Sequence, residues 1–332
     1  MFGKILILGA GSWGATVGDV VSQKAEVFLW EKSEKKYKFF LKHLHPEFFP
    51  FIKMKKFTIL NKLEIPDGTK LIFVATPAQS VREVLERLKM QLQRKKIPLV
   101  ILSKGIEIKT LKTMDCVVEE IFGSHPYAII SGPSHAEEVA KRKPTSFIIA
   151  SKNKALALKL QKFFLFPYLR PYTHTDVRGV ALGGALKNVY AIAAGICDGM
   201  KLGINAKASL ITRSLAEMIR IGTALGGKFH TFSGLSGVGD LITTCFSNFS
   251  RNRNLGEEIG KGYSLNEALK KVKTTAEGAS TVIAVKKISD EKKISAPIAN
   301  GIYDILFKRK NLKNVIKSLM ERPIKSEEEG LI

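Results

Sequence analysis

The 332-residue chain is poor in cysteine, tryptophan, histidine and acid: it has three Cys, two Trp, six His and 30 Asp+Glu against 53 Lys+Arg. Cys116, Cys197 and Cys245 are far apart, odd in number and form no C-x-x-C pair, which argues against a disulfide framework or a structural zinc site. The histidines show no H-E-x-x-H spacing, so no metal is expected. No apolar run reaches the ~18–20 residues of a membrane span, and none is expected. The opening MFGKILILGAGSWG has no basic leader, and its short apolar run leads straight into glycines. It is read as a strand rather than a signal peptide, with the cytoplasm as the expected location. No fixed-period repeat or low-complexity segment is present.

The formal charge of +23 invites a nucleic-acid reading. The excess is mainly lysine and is dispersed, with only short clusters at 35–36, 53–56 and 94–96. With no basic arm and no nucleic-acid signature, no nucleic-acid partner is expected. The field of such a surface favours small anionic substrates instead.

What is present fits a globular protein: 45% hydrophobic and 25% charged residues. The length suggests two domains. Apolar runs at 4–8 (KILIL), 26–30 (EVFLW), 71–75 (LIFVA), 99–102 (LVIL), 127–131 (YAIIS) and 146–150 (SFIIA) read as buried strands. Helical patterns lie between most of them, for example at 80–92 and 111–122. This alternation implies a mostly parallel, doubly wound α/β sheet covered on both faces. After about Thr175 the strand signals stop. Helices are expected at 180–200, 206–225, 264–273, 280–289 and 298–307, and the acidic tail from Ser326 is expected to be mobile. The expected boundaries are 1–178 for a nucleotide-binding α/β domain and 179–332 for an all-helical substrate-binding and catalytic domain.

Gly9-Ala-Gly11-Ser12-Trp13-Gly14 matches G-x-G-x-x-G. It follows a strand and opens a helical segment at 12–23, the context that makes it a Rossmann-like dinucleotide fingerprint. Gly9 permits the tight turn, Gly11 lets backbone approach a pyrophosphate, and Gly14 lets helix and strand pack closely. After the second strand stand Glu31, which suits a ribose 2′-hydroxyl, and Lys32, which suits a 2′-phosphate. Thr76-Pro77, Ser103-Lys104-Gly105 and Gly132-Pro133-Ser134 each follow a strand, at the sheet edge where open α/β folds bind ligands.

On the helix from 180, Leu182, Leu186, Val189, Ile192 and Ile196 share one face. Lys187 shares the opposite face with Gly183, Ala191, Ala194 and Asp198, a stripe that a ligand or another helix could approach. Gly234-Leu-Ser-Gly-Val-Gly-Asp240 suggests irregular backbone in close contact. Ser250-Arg251-Asn252 offers a guanidinium, a hydroxyl and an amide suited to phosphate. Arg213, Glu217 and Arg220, spaced by four and three, read as a solvated salt-bridge face.

The order of these motifs resembles the bacterial NAD(P)-dependent glycerol-3-phosphate dehydrogenases over essentially the whole chain. It is carried by GAGSWG, SKGIE at 103–107, SGPSHAEEV at 131–139, ALKNVYAIAAGI at 185–196, GVGDLITTC at 237–245, SRNRNLG at 250–256 and AEGAST at 276–281. The resemblance implies reversible NAD(P)H-dependent reduction of dihydroxyacetone phosphate to sn-glycerol 3-phosphate, supplying glycerophospholipid synthesis. It implies cofactor contacts at Ser12, Trp13, Lys32, Lys104, Ala136, Arg251 and Glu277, beside the fingerprint glycines. It implies substrate contacts at Lys104, Gly132, Ser134, Asp240, Ser250, Arg251 and Asn252. Lys187 matches the proton donor and acceptor. His135 stands where the family often has phenylalanine, and Glu31-Lys32 leaves both NAD and NADP open. Two other readings remain: a different two-domain NAD(P) reductase of a small hydroxy acid, or a non-enzymatic nucleotide-sensing or nucleic-acid-binding protein. A homodimer is left open.

Overall fold

The computed structural model describes residues 2–47, 49–52, 57–272, 276–324 and 326–327. The basic cluster at 53–56, position 273 and the tail beyond 327 therefore lie outside the described residues. The chain divides into two compact units. One comprises the residues up to Ser103 together with Met114–Val177; the other comprises Lys104–Thr113 together with the chain from Arg178 onwards.

In the first unit the strands are β1 (Lys4–Leu8), β2 (Glu26–Trp30), β3 (Phe57–Leu60), β4 (Thr69–Val74) and β5 (Leu99–Ile101), then β8 (Tyr127–Ser131), β9 (Thr145–Ala150) and β10 (Leu169–His174). Between β5 and β8 in sequence, β6 (Ile106–Glu107) and β7 (Lys112–Thr113) make a small antiparallel ribbon of the second unit. The eight-stranded sheet runs β10-β9-β8-β5-β4-β1-β2-β3. All neighbours are parallel except β8 and β9, which are antiparallel. β1 lies between β2 and β4, so the chain reverses its direction of travel across the sheet there. The carboxyl ends of β1 and β4 thus form the crevice at which open α/β sheets take ligands.

The helices of this unit are α1 (Ser12–Val21), α2 (Glu34–His43), α3 (Val81–Lys95), α4 (Met114–Phe122), α5 (Ala136–Ala140) and α6 (Lys154–Phe163). The helix expected at 111–122 starts at Met114, because Leu111 takes a left-handed backbone (φ 58°) and closes the β6–β7 turn. Besides the short β6–β7 ribbon, two strands of the eight-stranded sheet have no counterpart among the expected ones. β3 is only half buried, and β10 contains Pro171, which a strand tolerates at the sheet edge where β10 lies.

In the second unit the helices are α7 (Val177–Gly199), α8 (Ile204–Ala224), α9 (Phe229–Phe232), α10 (Asp240–Phe246), α11 (Arg251–Gly260), α12 (Leu265–Val272), α13 (Glu277–Glu291), α14 (Pro297–Lys308) and α15 (Leu312–Met320). α7 is the core of this unit. Its 23 residues are long and apolar enough to cross a membrane, which the sequence reading did not anticipate, but 94% of its most apolar window is buried inside the protein. Leu182, Leu186, Val189, Ile192 and Ile196 are all in the core.

The opposite stripe is covered by protein rather than open. A Cβ on Gly183 would stand 2.4 Å from the Ser236 carbonyl oxygen, and one on Gly195 would stand 1.9 Å from that of Arg253. Gly256 of α11 meets the Ile192 carbonyl just as closely, so Gly195 and Gly256 let α7 and α11 touch backbone to backbone, while Gly183 admits the backbone at Ser236. The segment 104–113, read from sequence as part of the α/β domain, joins this unit because Ile106 is fully buried in the helical core.

Glu217 corrects another expectation. It is not solvated: it is 2% exposed, and its two carboxylate oxygens accept the Ile298 and Ala299 backbone N–H groups at 2.8 and 2.9 Å, capping α14. Burial pushes its carboxyl up to about 7, against the opposing pull of those two N–H groups and of Arg220.

Candidate active site

The β1–α1 turn has the shape a dinucleotide needs. Gly9 has φ 109°, and a Cβ there would press to 2.8 Å on the Ala75 backbone at the end of β4. A Cβ on Gly14 would lie 2.0 Å from the Gly9 carbonyl oxygen, whereas one on Gly11 would meet nothing within 4 Å. Two glycines are thus demanded by packing, and Gly11 alone faces open space. Gly11 also stands at the N-cap of α1 with no side-chain cap, and Ser12 and Trp13 begin the helix. The first turn carries no acidic residue. An uncapped helix start behind an open glycine fits a pyrophosphate.

Beyond β2, the Glu31 carboxylate turns back and accepts the Ser33 backbone N–H at 2.9 Å. Lys32 is exposed and reaches both carboxylate oxygens of Glu83, at 2.8 and 3.0 Å. Gly132, after β8, has φ 129° and Ser134 Oγ donates to its carbonyl at 3.0 Å. His135 is the N-cap of α5, and Ala136, buried, is its first residue. At the ends of β4 and β5, Ser103 Oγ donates to the Thr76 carbonyl at 2.5 Å.

In the helical unit three charged side chains meet. Lys187 of α7 donates to Oδ1 of Asp240 and, at 2.9 Å, to Oγ1 of Thr244. Lys104 donates to the other oxygen of Asp240, Oδ2, at 2.8 Å. Asp240 is 1% exposed and Lys187 7%. A five-residue π-helical turn, Leu235–Gly239, delivers Asp240 to the start of α10; Gly237 there packs so close to Phe232 that a Cβ would fall 2.0 Å from its carbonyl oxygen. Such turns recur at functional sites.

The electrostatics follow from two ammonium groups on one buried carboxylate. Burial alone would raise the Asp240 carboxyl, but Lys104 and Lys187 overcome it and hold it below the ordinary aspartate value. Burial brings Lys187 down to about 8; Asp240 opposes that shift and the Lys104 charge adds to it. An ammonium has three N–H donors. Asp240 and Thr244 take two from Lys187, leaving one for an incoming oxygen. Burial pushes the Cys245 thiol of the same core up to about 12, so it is not a thiolate nucleophile at neutral pH.

The Ser250–Asn252 cluster starts α11. The Ser250 hydroxyl caps the helix by accepting the Arg253 N–H at 3.2 Å, and Arg251 is half buried in its first turn. Asn252, buried in the same turn, is tied into the helical unit by two hydrogen bonds. Its amide donates to Asn188 Oδ1 at 3.0 Å, and its carbonyl oxygen accepts the Gly278 N–H at 2.8 Å. It thereby ties the neighbour of Lys187 to the neighbour of Glu277, the first residue of α13.

Sequence reasoning missed Thr244, Asn188 and Glu83. Thr244 was findable: it stands four residues from Asp240 on one helix, hence on one face. Asn188 is adjacent to Lys187. Nothing local marks Glu83, 51 residues from its partner. Among the described residues, no group of three or more His, Cys, Asp or Glu is placed to hold a metal ion.

Comparison with known proteins shows the family. The family models described as NAD-dependent glycerol-3-phosphate dehydrogenase N-terminus and C-terminus match residues 4–157 and 176–317. The glycerol-3-phosphate dehydrogenase (NAD(P)+) of Syntrophomonas wolfei is 41% identical, covering 99% of this chain and 98% of its own. That of Bacillus pumilus is 42% identical, covering 99% of this chain and 97% of its own. The crystal structure of glycerol-3-phosphate dehydrogenase from Coxiella burnetii superposes with a TM-score of 0.93 at 33% identity, over 97% of this chain and 99% of that one.

Proposed function

The chain belongs to the NAD-dependent glycerol-3-phosphate dehydrogenase family, and on that premise we propose that its proton transfer runs through Lys187. The enzyme is an NAD(P)-dependent oxidoreductase that interconverts dihydroxyacetone phosphate and sn-glycerol 3-phosphate. This replaces the generic hydroxy-acid reductase and the non-enzymatic readings.

The observation that carries the proton assignment is the buried carboxylate of Asp240 shared by Lys187 and Lys104. Bound NAD(P)H supplies the hydride to the C2 carbonyl carbon. The carbonyl oxygen then becomes an alkoxide and needs a proton, which the third N–H of Lys187 gives. The neutral amine so formed stays hydrogen-bonded to Asp240 and Thr244 and is reprotonated from solvent. In the oxidation direction the same neutral amine accepts the proton of the C2 hydroxyl. A lysine at about 8 can do both near neutral pH, as an unperturbed one cannot. Lys104, 2.8 Å from Asp240, holds that carboxylate and adds a second cation for the developing oxyanion.

The remaining assignments have separate support. Gly9, Gly11, Ser12, Trp13 and Gly14 hold the pyrophosphate at the open start of α1. Lys32 lies at the adenosine ribose. Ser250, Arg251 and Asn252, at the start of α11, whose first turn carries no acidic residue, recognise the substrate phosphate. Gly132, Ser134, Ala136 and Glu277 complete the ligand contacts by their likeness to the family motifs. The α/β unit binds nucleotide and the helical unit carries substrate and catalysis. The further reading is a cytoplasmic enzyme, homodimeric, supplying glycerophospholipid synthesis.

The experiment is NADH and NADPH oxidation with dihydroxyacetone phosphate beside unphosphorylated dihydroxyacetone. The reading expects turnover of the first and a large loss of kcat/KM for the second. Equal kcat/KM values would remove phosphate recognition from the account.

A further inference from the structure

Lys32 and Glu83 occupy the carboxyl ends of the two strands that flank β1. Lys32 lies two residues beyond β2, and Glu83 is in the first turn of α3, which follows β4. The two side chains close an ion pair across that edge, with Lys32 Nζ on both oxygens of Glu83 at 2.8 and 3.0 Å. The Lys32 hydrogen bond and charge, with Arg87 behind them, hold the Glu83 carboxyl below the ordinary glutamate value. The other acid at this edge, Glu31, is turned onto the Ser33 backbone.

We propose that Glu83 is a cofactor-specificity residue, an internal carboxylate that occupies Lys32 where the 2′-phosphate of an adenosine ribose would otherwise bind. The proposal rests on the reading that Lys32 borders that ribose. The chemistry is competition between two oxyanions for one ammonium. A ribose bearing only a 2′-hydroxyl leaves the Lys32–Glu83 pair intact. A 2′-phosphate must displace Glu83 and then accept its negative charge as a neighbour. Glu83 therefore offsets the preference for NADP that Lys32 alone would confer, and the pair yields a dehydrogenase tolerant of both dinucleotides. Both side chains are about half exposed, so the effect is a modest ratio rather than an absolute switch. It weakens with salt, as exposed charge interactions do.

The test is equilibrium binding to the full-length enzyme, by calorimetry, of adenosine 2′,5′-bisphosphate and adenosine 5′-monophosphate, which differ only in the 2′-phosphate. Glu83→Gln should tighten the bisphosphate about two- to fivefold, leave the monophosphate nearly unchanged, and lose most of that gain in about 0.5 M salt. In a Lys32→Gln background the gain should largely vanish. If Lys32→Gln lowers the preference for the bisphosphate but Glu83→Gln leaves it unaltered, Glu83 has no such role and the Lys32 reading stands. If neither variant moves the ratio, the ribose reading fails and the proposal with it. A Glu83→Gln gain undiminished in the Lys32→Gln background would mean direct repulsion by Glu83 and would overturn the competition for Lys32.

Discussion

Lys104 and Lys187 share one carboxylate, each holding a different oxygen of Asp240, although Lys104 is 136 residues and Lys187 53 residues from it in sequence. Two cations on one buried anion leave a net positive charge at the site. That charge suits an enzyme that must stabilise an oxyanion and then protonate it.

The Lys104 charge helps to hold Lys187 down at about 8, after burial. Lys104→Ala should therefore raise the Lys187 pKa. In the wild type, kcat/KM for ketone reduction should be flat below about 8 and fall above it, and that for alcohol oxidation should rise through the same value. In Lys104→Ala both breaks should move upward, alongside a loss of rate. pH profiles whose breaks stay in place would separate Lys104 from the titration of Lys187.

Arg251 is assigned to the substrate phosphate. A charge-assisted hydrogen bond contributes about 1.5–3 kcal/mol, or roughly ten- to a hundredfold in affinity. Arg251→Ala should mainly raise KM for dihydroxyacetone phosphate, with some loss of cofactor affinity if it reaches both ligands. Steady-state kinetics with an unchanged KM for both would take Arg251 out of the site.

Asn252→Ala removes a side chain that satisfies both Asn188 and the Gly278 N–H inside the helical unit. Leaving buried polar groups unpaired costs about 1–3 kcal/mol each. Urea unfolding should show a loss of about 2 kcal/mol or more. Wild-type stability would contradict that structural role, and a raised substrate KM would support the direct ligand contact.

Glu217 gives a stability signature. Its folded-state carboxyl is raised from 4.5 to about 7, burial being the larger cause. The folded state therefore binds the extra proton, and stability is fully present below 4.5 and lost as pH rises to about 7. The shift corresponds to about 3 kcal/mol at most. Thermal unfolding of Glu217→Gln across this window should lack that component of the slope. An identical slope in both proteins would contradict it.

Where the chain is regular and buried, its sequence was enough. KILIL, EVFLW and YAIIS became β1, β2 and β8 residue for residue, because a strand covered on both faces must be continuously apolar. The glycine fingerprint was legible because backbone sterics constrain residue type directly. β10 was not, since Pro171 and alternating exposed residues carry no strand signal away from a sheet edge. Glu217 was misread because a spacing of four and three looks the same on a solvated face and on one that caps another helix 81 residues later. Residue type identified Lys104, Lys187 and Asp240 as candidates, but their meeting depends on packing that periodicity does not encode. The same holds for the sign of the Lys187 shift: a sequence supplies the opposing charges, while burial decides between them.

The central claim is that Lys187 handles the proton. The most direct measurement is single-turnover and steady-state reduction of dihydroxyacetone phosphate by Lys187→Met, with folding checked by circular dichroism and NAD(P)H binding by fluorescence. Methionine keeps the length of the side chain and removes its protons. The account predicts a fall in kcat of about 10²–10⁴-fold with cofactor affinity nearly intact. A folded Lys187→Met enzyme with near-wild-type kcat would contradict it.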